Sequence, residues 1–196
     1  MNFLAHIYLS GNSKQIKIGN FIADAVKGKN YTNYVTTIQE GIFLHRKIDS
    51  FTDTHTIVKV SKRRLHPRYK HYDGVIIDIL YDHFLAKNWA SYCQTPLEEY
   101  AQEFYKLLES NYNILPEKIQ YFLPYMIKGD WLYNYSTLEG IEKVLIGMDK
   151  RTKNKSQMYL VIEDLKLHYI AFDNDFTTFF NDLQQFCLEE LKTINT

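Results

Sequence analysis

Net charge is absent from this chain of 196 residues, in which 23 Lys and Arg balance 23 Asp and Glu. A neutral chain exerts no bulk attraction on nucleic acid or membrane, so charge-based recognition has to rest on local patches. Cysteine is nearly absent. Cys93 and Cys187 are far apart and fit no zinc spacing, which reads as free thiols in a reducing cytoplasm. No apolar run approaches the ~20 residues of a membrane span. The opening MNFLAHIYLSGNSKQ has no basic segment and only a short apolar one, so no secretory leader is expected and the protein is placed in the cytoplasm. Alternating strand patterns, repeats and low-complexity linkers are also missing.

What is present is enough apolar material to fold. Hydrophobic residues make up 45% and aromatics 15% of the chain, which excludes disorder. The length fits a single helical domain over residues 1–196, with a less distinctive helical segment after about residue 156. Proline occurs only at 67, 96, 116 and 124, and between these positions the apolar spacing is helical. Helices are predicted over Thr32–Phe51 and over Asp73–Tyr92, the second with Asp73 as N-cap. Thr95-Pro96-Leu97-Glu98 and Ser136-Thr137-Leu138-Glu139 read as capping boxes. Pro116 opens a helix towards Lys128 that Pro124 bends or splits. Lys150–Lys155 reads as a basic loop. Gln157–Ile194 reads as two helices broken near Asp173-Asn174-Asp175. The fold class is all-α.

The informative oddity is acid inside apolar sequence. Asp24 lies in FIADAV and Asp78 in VIIDIL. A buried carboxylate needs a cation, a metal or a proton, although a helix face could also bring either one to solvent. Asn20 and Asp24, His45 and Asp49, and Asp78 and Asp82 are each four residues apart, and residues so spaced project from one helix face. Three helices could thus present polar pairs to one cavity, with His6 added from the N-terminus. Mixed imidazole and carboxylate ligands suit Mn, Fe, Mg or Zn better than copper or an iron–sulfur cluster. The plainer alternatives are a core histidine at position 6, helix caps at Asp49 and Asp53, and a surface pair at Asp82-His83. A di-iron bundle would need Glu-x-x-His on two helices, and the chain contains none.

Lys59–His71 reads KVSKRRLHPRYKH, six Lys and Arg without one acid. It is either a local positive field for a phosphate or an acidic protein, or a solvated helix face. Nucleic acid fits less well, because no reading motif accompanies the strip. Arg46 beside His45 could grip a phosphate in bidentate fashion or pair with Asp49 or Asp53.

The ordered motifs MNFLAH (Met1–His6), GNFIAD (Gly19–Asp24) with Gly28, GIFLHRKIDSFTDTH (Gly41–His55) and GVIIDILYDHFLAKNW (Gly74–Trp89), with the later Trp131-Leu132, Tyr135 and Arg151, resemble the acyl carrier protein phosphodiesterases over most of the chain. The resemblance implies an HD-like multi-helix bundle around a divalent metal site, with Mn²⁺ foremost and Mg²⁺ or Fe²⁺ next. It also implies hydrolysis of the phosphodiester that joins 4′-phosphopantetheine to a serine of holo-acyl carrier protein, a step linked to fatty acid biosynthesis. The chain departs from the wider HD pattern in having no His-Asp doublet, only the reversed Asp82-His83.

On this reading Asp24, His45 and Asp78 hold the metal, with His6 as a fourth ligand. Asp82 or Asp49 orients or deprotonates water. Arg46, with Arg64 or Arg68, neutralises the phosphate, and Lys62 and Arg63 within the basic strip dock the acidic carrier protein. Two alternatives stand beside it. One is an HD-like phosphohydrolase of a nucleotide or other small phosphoester. The other is a non-catalytic helical binding protein whose acids are neutralised by Arg46 and Arg64.

Overall fold

The computed structural model describes residues 1–194; Asn195 and Thr196, the end of the expected 1–196 unit, lie outside the described residues. Among the described residues there are eleven α-helices joined by short 3₁₀ turns, and no strand. In order they are α1 (Phe3–Tyr8), α2 (Lys14–Ile22), α3 (Thr36–Thr54), α4 (Thr56–Tyr69), α5 (Asp73–Lys87), α6 (Leu97–Ser110), α7 (Glu117–Lys128), α8 (Trp131–Asn134), α9 (Leu138–Arg151), α10 (Val161–Leu167) and α11 (Tyr169–Ile194). One buried apolar cluster runs through the bundle from Met1 to Cys187. Helix α5 lies at its centre, with ten buried residues in a run from Ile76 to Ala86 broken only by Asp78. Helix α11 lays Phe172, Phe176, Phe179 and Phe180 into the core, all fully buried, and packs against α3, α4 and α5.

Several element ends differ from the sequence reading for local reasons. Helix α3 starts at Thr36, because residues 30–33 form a separate 3₁₀ turn. Asp73 sits in the first turn of α5 and caps nothing, since its carboxylate is taken by His66 Nδ1 at 2.7 Å. Pro96 itself is the extended N-cap of α6, and Thr95 offers no cap. In α9 the cap is Thr137, which accepts from the Gly140 N–H at 3.0 Å, so the box falls one residue later than expected. Helix α7 passes through Pro124 without splitting. The tail breaks at His168 and not near residue 174. Asp173, Asn174 and Asp175 stay helical within α11, where Asp175 is drawn inward by Arg64 and by Ser61 Oγ at 2.6 Å. The strip from Lys59 is the exposed side of α4, whose inner side buries Val58, Ser61, Leu65 and Tyr69.

Helices α2 and α3 meet backbone to backbone. A Cβ on Gly19 would fall 2.1 Å from the Ile38 carbonyl oxygen, and one on Gly41 would fall 2.3 Å from that of Ile16. Only glycine lets two helix backbones meet so tightly. The contact sets Asn20 beside His45 across the helix pair. Gly147, on the exposed side of α9, has nothing within 4 Å of its Cβ position. The two positions should therefore respond with opposite sign. Gly147→Ala should stabilise by about 0.5–1 kcal/mol through helix propensity, whereas Gly41→Ala should lose about 2 kcal/mol or more through overpacking. Denaturant midpoints compared with wild type check both.

Candidate functional site

The start of the chain is held by two acids of α5. Helix α1 has only six residues, and Asn2 gives it no side-chain cap. Asp82 takes that place from another helix. Its carboxylate accepts from the N–H groups of Asn2 at 3.2 Å, Leu4 at 2.7 Å and Ala5 at 3.4 Å. These are orphan donors of a first helical turn, which carries partial positive charge. One turn earlier on α5, Asp78 accepts from the Met1 ammonium at 2.9 Å. Burial pushes the Asp82 carboxyl up to about 7, although the Met1 ammonium and the three N–H groups pull the other way. Asp82 is fully buried and is not part of the cavity wall. Expected to handle a catalytic water, it is instead found bonded to the backbone that carries His6.

His6 from α1 and His45 from α3 stack with ring centroids 4.0 Å apart and planes 17° apart. Asp49, one turn beyond His45, approaches both: its Oδ2 lies 3.1 Å from His45 Nε2 and its Oδ1 3.3 Å from His6 Nε2. His6 Nε2 is buried and makes no hydrogen bond, although Asp49 Oδ1 stands 3.3 Å away. His6, His45 and Asp49 offer ligand atoms all within 4.8 Å of one another, close enough to share one cation. A buried imidazole nitrogen without a hydrogen-bond partner is able to serve as a ligand atom.

The electrostatics divide the pair. Burial, then the neighbouring His45, lowers His6 to about 4. Burial also pulls His45 down, but hydrogen bonds to Asp24 and Asp49 outweigh it and raise His45 to about 9. Burial pushes the Asp49 carboxyl up, yet its contacts with both histidines hold it well below the usual carboxylate range.

Asp24 follows α2 in a 3₁₀ turn, and its Oδ1 lies 3.2 Å from His45 Nε2 with most of its side chain exposed. Asp24, His45, Asp49, Asp53, Asp78 and Met1 line a polar cavity of about 180 Å³. A larger cleft of about 510 Å³ lies among Tyr8, Lys17, Cys93, Tyr100 and Gln184. It gathers no ligating cluster among the described residues, so size alone does not locate the chemistry.

The structure brings four of the expected residues, His6, Asp24, His45 and Asp49, within one cluster. Asp78 reaches the cavity but is engaged with the Met1 ammonium. The basic residues scatter. Arg46 is exposed and lies over the rings of Tyr31 and Phe43, 5.6 Å from each centroid, and pairs with neither Asp49 nor Asp53. Arg64 pairs with Asp175, Arg68 with Asp164 at 2.9 Å and Lys62 with Asp53 at 2.9 Å. Arg63 is exposed and in no ion pair among the described residues. The cavity acids are thus not neutralised by Arg46 or Arg64, as the binding-protein alternative requires. Asn20, four residues before Asp24, does not line the cavity, and its side-chain oxygen bonds to both imidazoles.

Fold and cavity together define an all-helical protein that gathers two histidines and several aspartates where three helices meet. The family model described as acyl carrier protein phosphodiesterase matches residues 1–183. The chain belongs to that family. It is 32% identical to the acyl carrier protein phosphodiesterase of Photorhabdus laumondii over 92% of this chain and 91% of that one. The proteins of the same name from Pectobacterium atrosepticum, 31% identical over 94% and 96%, and Enterobacter sp., 32% identical over 92% and 94%, align along nearly their whole length as well. No solved structure matches the chain.

A pH signature follows from Asp82. Its folded-state value of about 7 lies above the ordinary 3.8. Between those two pH values the folded chain binds the proton that the unfolded chain has released, so this group's contribution to stability falls as pH rises and levels off above about 7. Asp82→Asn keeps an acceptor for α1 without the charge. The stability difference between wild type and Asp82→Asn, followed by urea unfolding across this range, should shift against wild type as pH rises.

Proposed function

We propose that this protein hydrolyses the phosphodiester linking 4′-phosphopantetheine to a serine of holo-acyl carrier protein, releasing apo-carrier protein and free 4′-phosphopantetheine. The family match over residues 1–183 supports the substrate. The observation that carries the chemistry is the convergence of His6, His45 and Asp49 around a buried imidazole nitrogen without a partner. Those three residues would hold a divalent cation, Mn²⁺ in first place, which when bound supplies Lewis acidity towards a phosphoryl oxygen and lowers the pKa of water.

The remaining work falls to side chains already in place. The cavity admits a phosphodiester group but not the whole pantetheine arm, which therefore runs outward along the surface. Asp24, exposed at the mouth and 3.2 Å from His45 Nε2, orients the attacking water and takes its proton. Asp53, paired with Lys62, also lines the cavity. The same reading places the fold with the HD-like phosphohydrolases, supported by histidine and aspartate converging from neighbouring helices of an all-helical bundle. A cytoplasmic setting is supported by the two unpaired thiols. No helix among the described residues is long and apolar enough to cross a membrane.

Carrier docking is assigned to the cations that the fold leaves open. Lys62, Arg64 and Arg68 are committed to Asp53, Asp175 and Asp164, whereas Arg46 beside His45 and Arg63 on α4 face solvent. Rim charges of this kind act mainly on association rate and its salt dependence. Reversing Arg46 and Arg63 to Glu should raise KM for holo-carrier protein several-fold at low salt and leave kcat nearly unchanged. Steady-state kinetics at two ionic strengths check it; an unaltered KM would remove these residues from the interface.

The reaction itself is read by intact mass. Holo-carrier protein incubated with the protein and Mn²⁺ should lose the mass of phosphopantetheine, and chelator or His45→Ala should stop the loss. Undiminished turnover by His45→Ala would overturn the site. Hydrolysis of free nucleotides without any change in carrier mass would select the small-phosphoester reading instead.

A further inference from the structure

Asn20 is fully buried between the two histidines and uses every polar atom of its side chain. Its Nδ2 donates to the His6 carbonyl and to Ser10 Oγ, each at 2.9 Å. A carbonyl can only accept, so the amide orientation is fixed and Oδ1 must face the imidazoles. That oxygen lies 2.8 Å from His6 Nδ1 and 3.2 Å from His45 Nδ1. The main-chain oxygen of the same residue lies 2.8 Å from His45 Nδ1. One residue thus presents acceptors to the inner nitrogen of both rings.

We infer that Asn20 is the positioning residue of the site, holding a proton on Nδ1 of both His6 and His45 so that both Nε2 atoms converge beside Asp49 as ligands. The inference rests on the reading of His6, His45 and Asp49 as a cation site. The two rings are not held alike. His45 is secured by the backbone carbonyl and keeps its orientation whatever side chain stands at position 20. For His6 Nδ1 the acceptor is the Asn20 side chain. Without it, the Asp49 carboxylate, 3.3 Å from His6 Nε2, offers an acceptor to the ring's other nitrogen. The His6 proton would then move to Nε2 and occupy the position where a cation should bind.

Long-range ¹H–¹⁵N spectra of ring-labelled, chelator-treated protein at a pH where both rings are neutral read the tautomers directly. In wild type, His6 should show a protonated Nδ1 and an unprotonated Nε2. In Asn20→Ala the His6 proton should shift to Nε2 while His45 Nδ1 stays protonated, a selectivity that general disruption of the core would not produce. Calorimetric titration with Mn²⁺ should show Asn20→Ala weakened on the order of 10–100-fold, the usual effect of removing the partner of a ligating histidine. The wild-type spectrum decides the question even if the alanine variant does not fold: a proton on His6 Nε2 overturns the inference. So does an unmoved His6 signal in Asn20→Ala. The expected tautomers together with no Mn²⁺ binding by wild type would sustain the role of Asn20 and overturn the metal reading beneath it.

Discussion

The backbone contact between α2 and α3 at Gly19 and Gly41 is the constraint on which the site depends. Any side chain at either position would drive the helices apart, because the space where a Cβ would sit holds a carbonyl oxygen of the facing helix. With the backbones in contact, the Asn20 carbonyl comes within 2.8 Å of His45 Nδ1, a bond between helices and not within one. Asn20 then reaches across to His6, and Asp24 emerges one turn later against the outer nitrogen of His45. The polar cluster is thus a by-product of how closely two main chains are allowed to approach.

A second arrangement keeps charge inside the bundle tolerable. Asp82 is buried as deeply as any core leucine, yet it faces the open N–H groups of a helix end and a nearby ammonium. A short helix without its own cap and an acid without a surface solve each other's problem. Two cations of α4 follow the same economy: Arg64 closes on Asp175 and Arg68 on Asp164, tying α4 to the C-terminal helices. This leaves the acids around His45 as the one group of carboxylates in the described residues that crowd about two imidazoles without a guanidinium among them.

Much of this could be read from residue order. Helical periodicity found the major elements, and the acids inside apolar runs pointed to the α5 positions and to Asp24. Of the i and i+4 pairs, His45 and Asp49 both line the cavity, whereas each of the other two contributes one member, Asp24 and Asp78. What stayed hidden is of a different kind. Whether Asp82 faces a cavity or a neighbouring backbone is decided by which helix packs against it, and α1 lies some eighty positions away along the chain. The partners of Arg64 and Arg68 lie even further off, on α10 and α11. The break at His168 was misplaced because Asp173 and Asp175 look like turn formers, yet Asp175 is held inside a helix by a tertiary ion pair. Capping patterns locate a helix start only to within a residue, as Thr137 and Pro96 illustrate. Spacing shows that two side chains share a face; it does not show what stands opposite.

The brevity of α1 has a consequence for the order in which the molecule comes together. Six residues cannot persist as a helix in water, because nucleation is unfavourable and too few turns follow to offset it. His6 therefore has no defined position until α5 has formed and offered Asp82 to the first turn. The two histidines are consequently unlike in their history: His45 is in register as soon as α3 exists, whereas His6 is a late arrival. A nascent or partly opened chain would carry His45 and Asp49 but not the third corner, and the site would come into being only when the long-range closure between the first and fifth helices is complete.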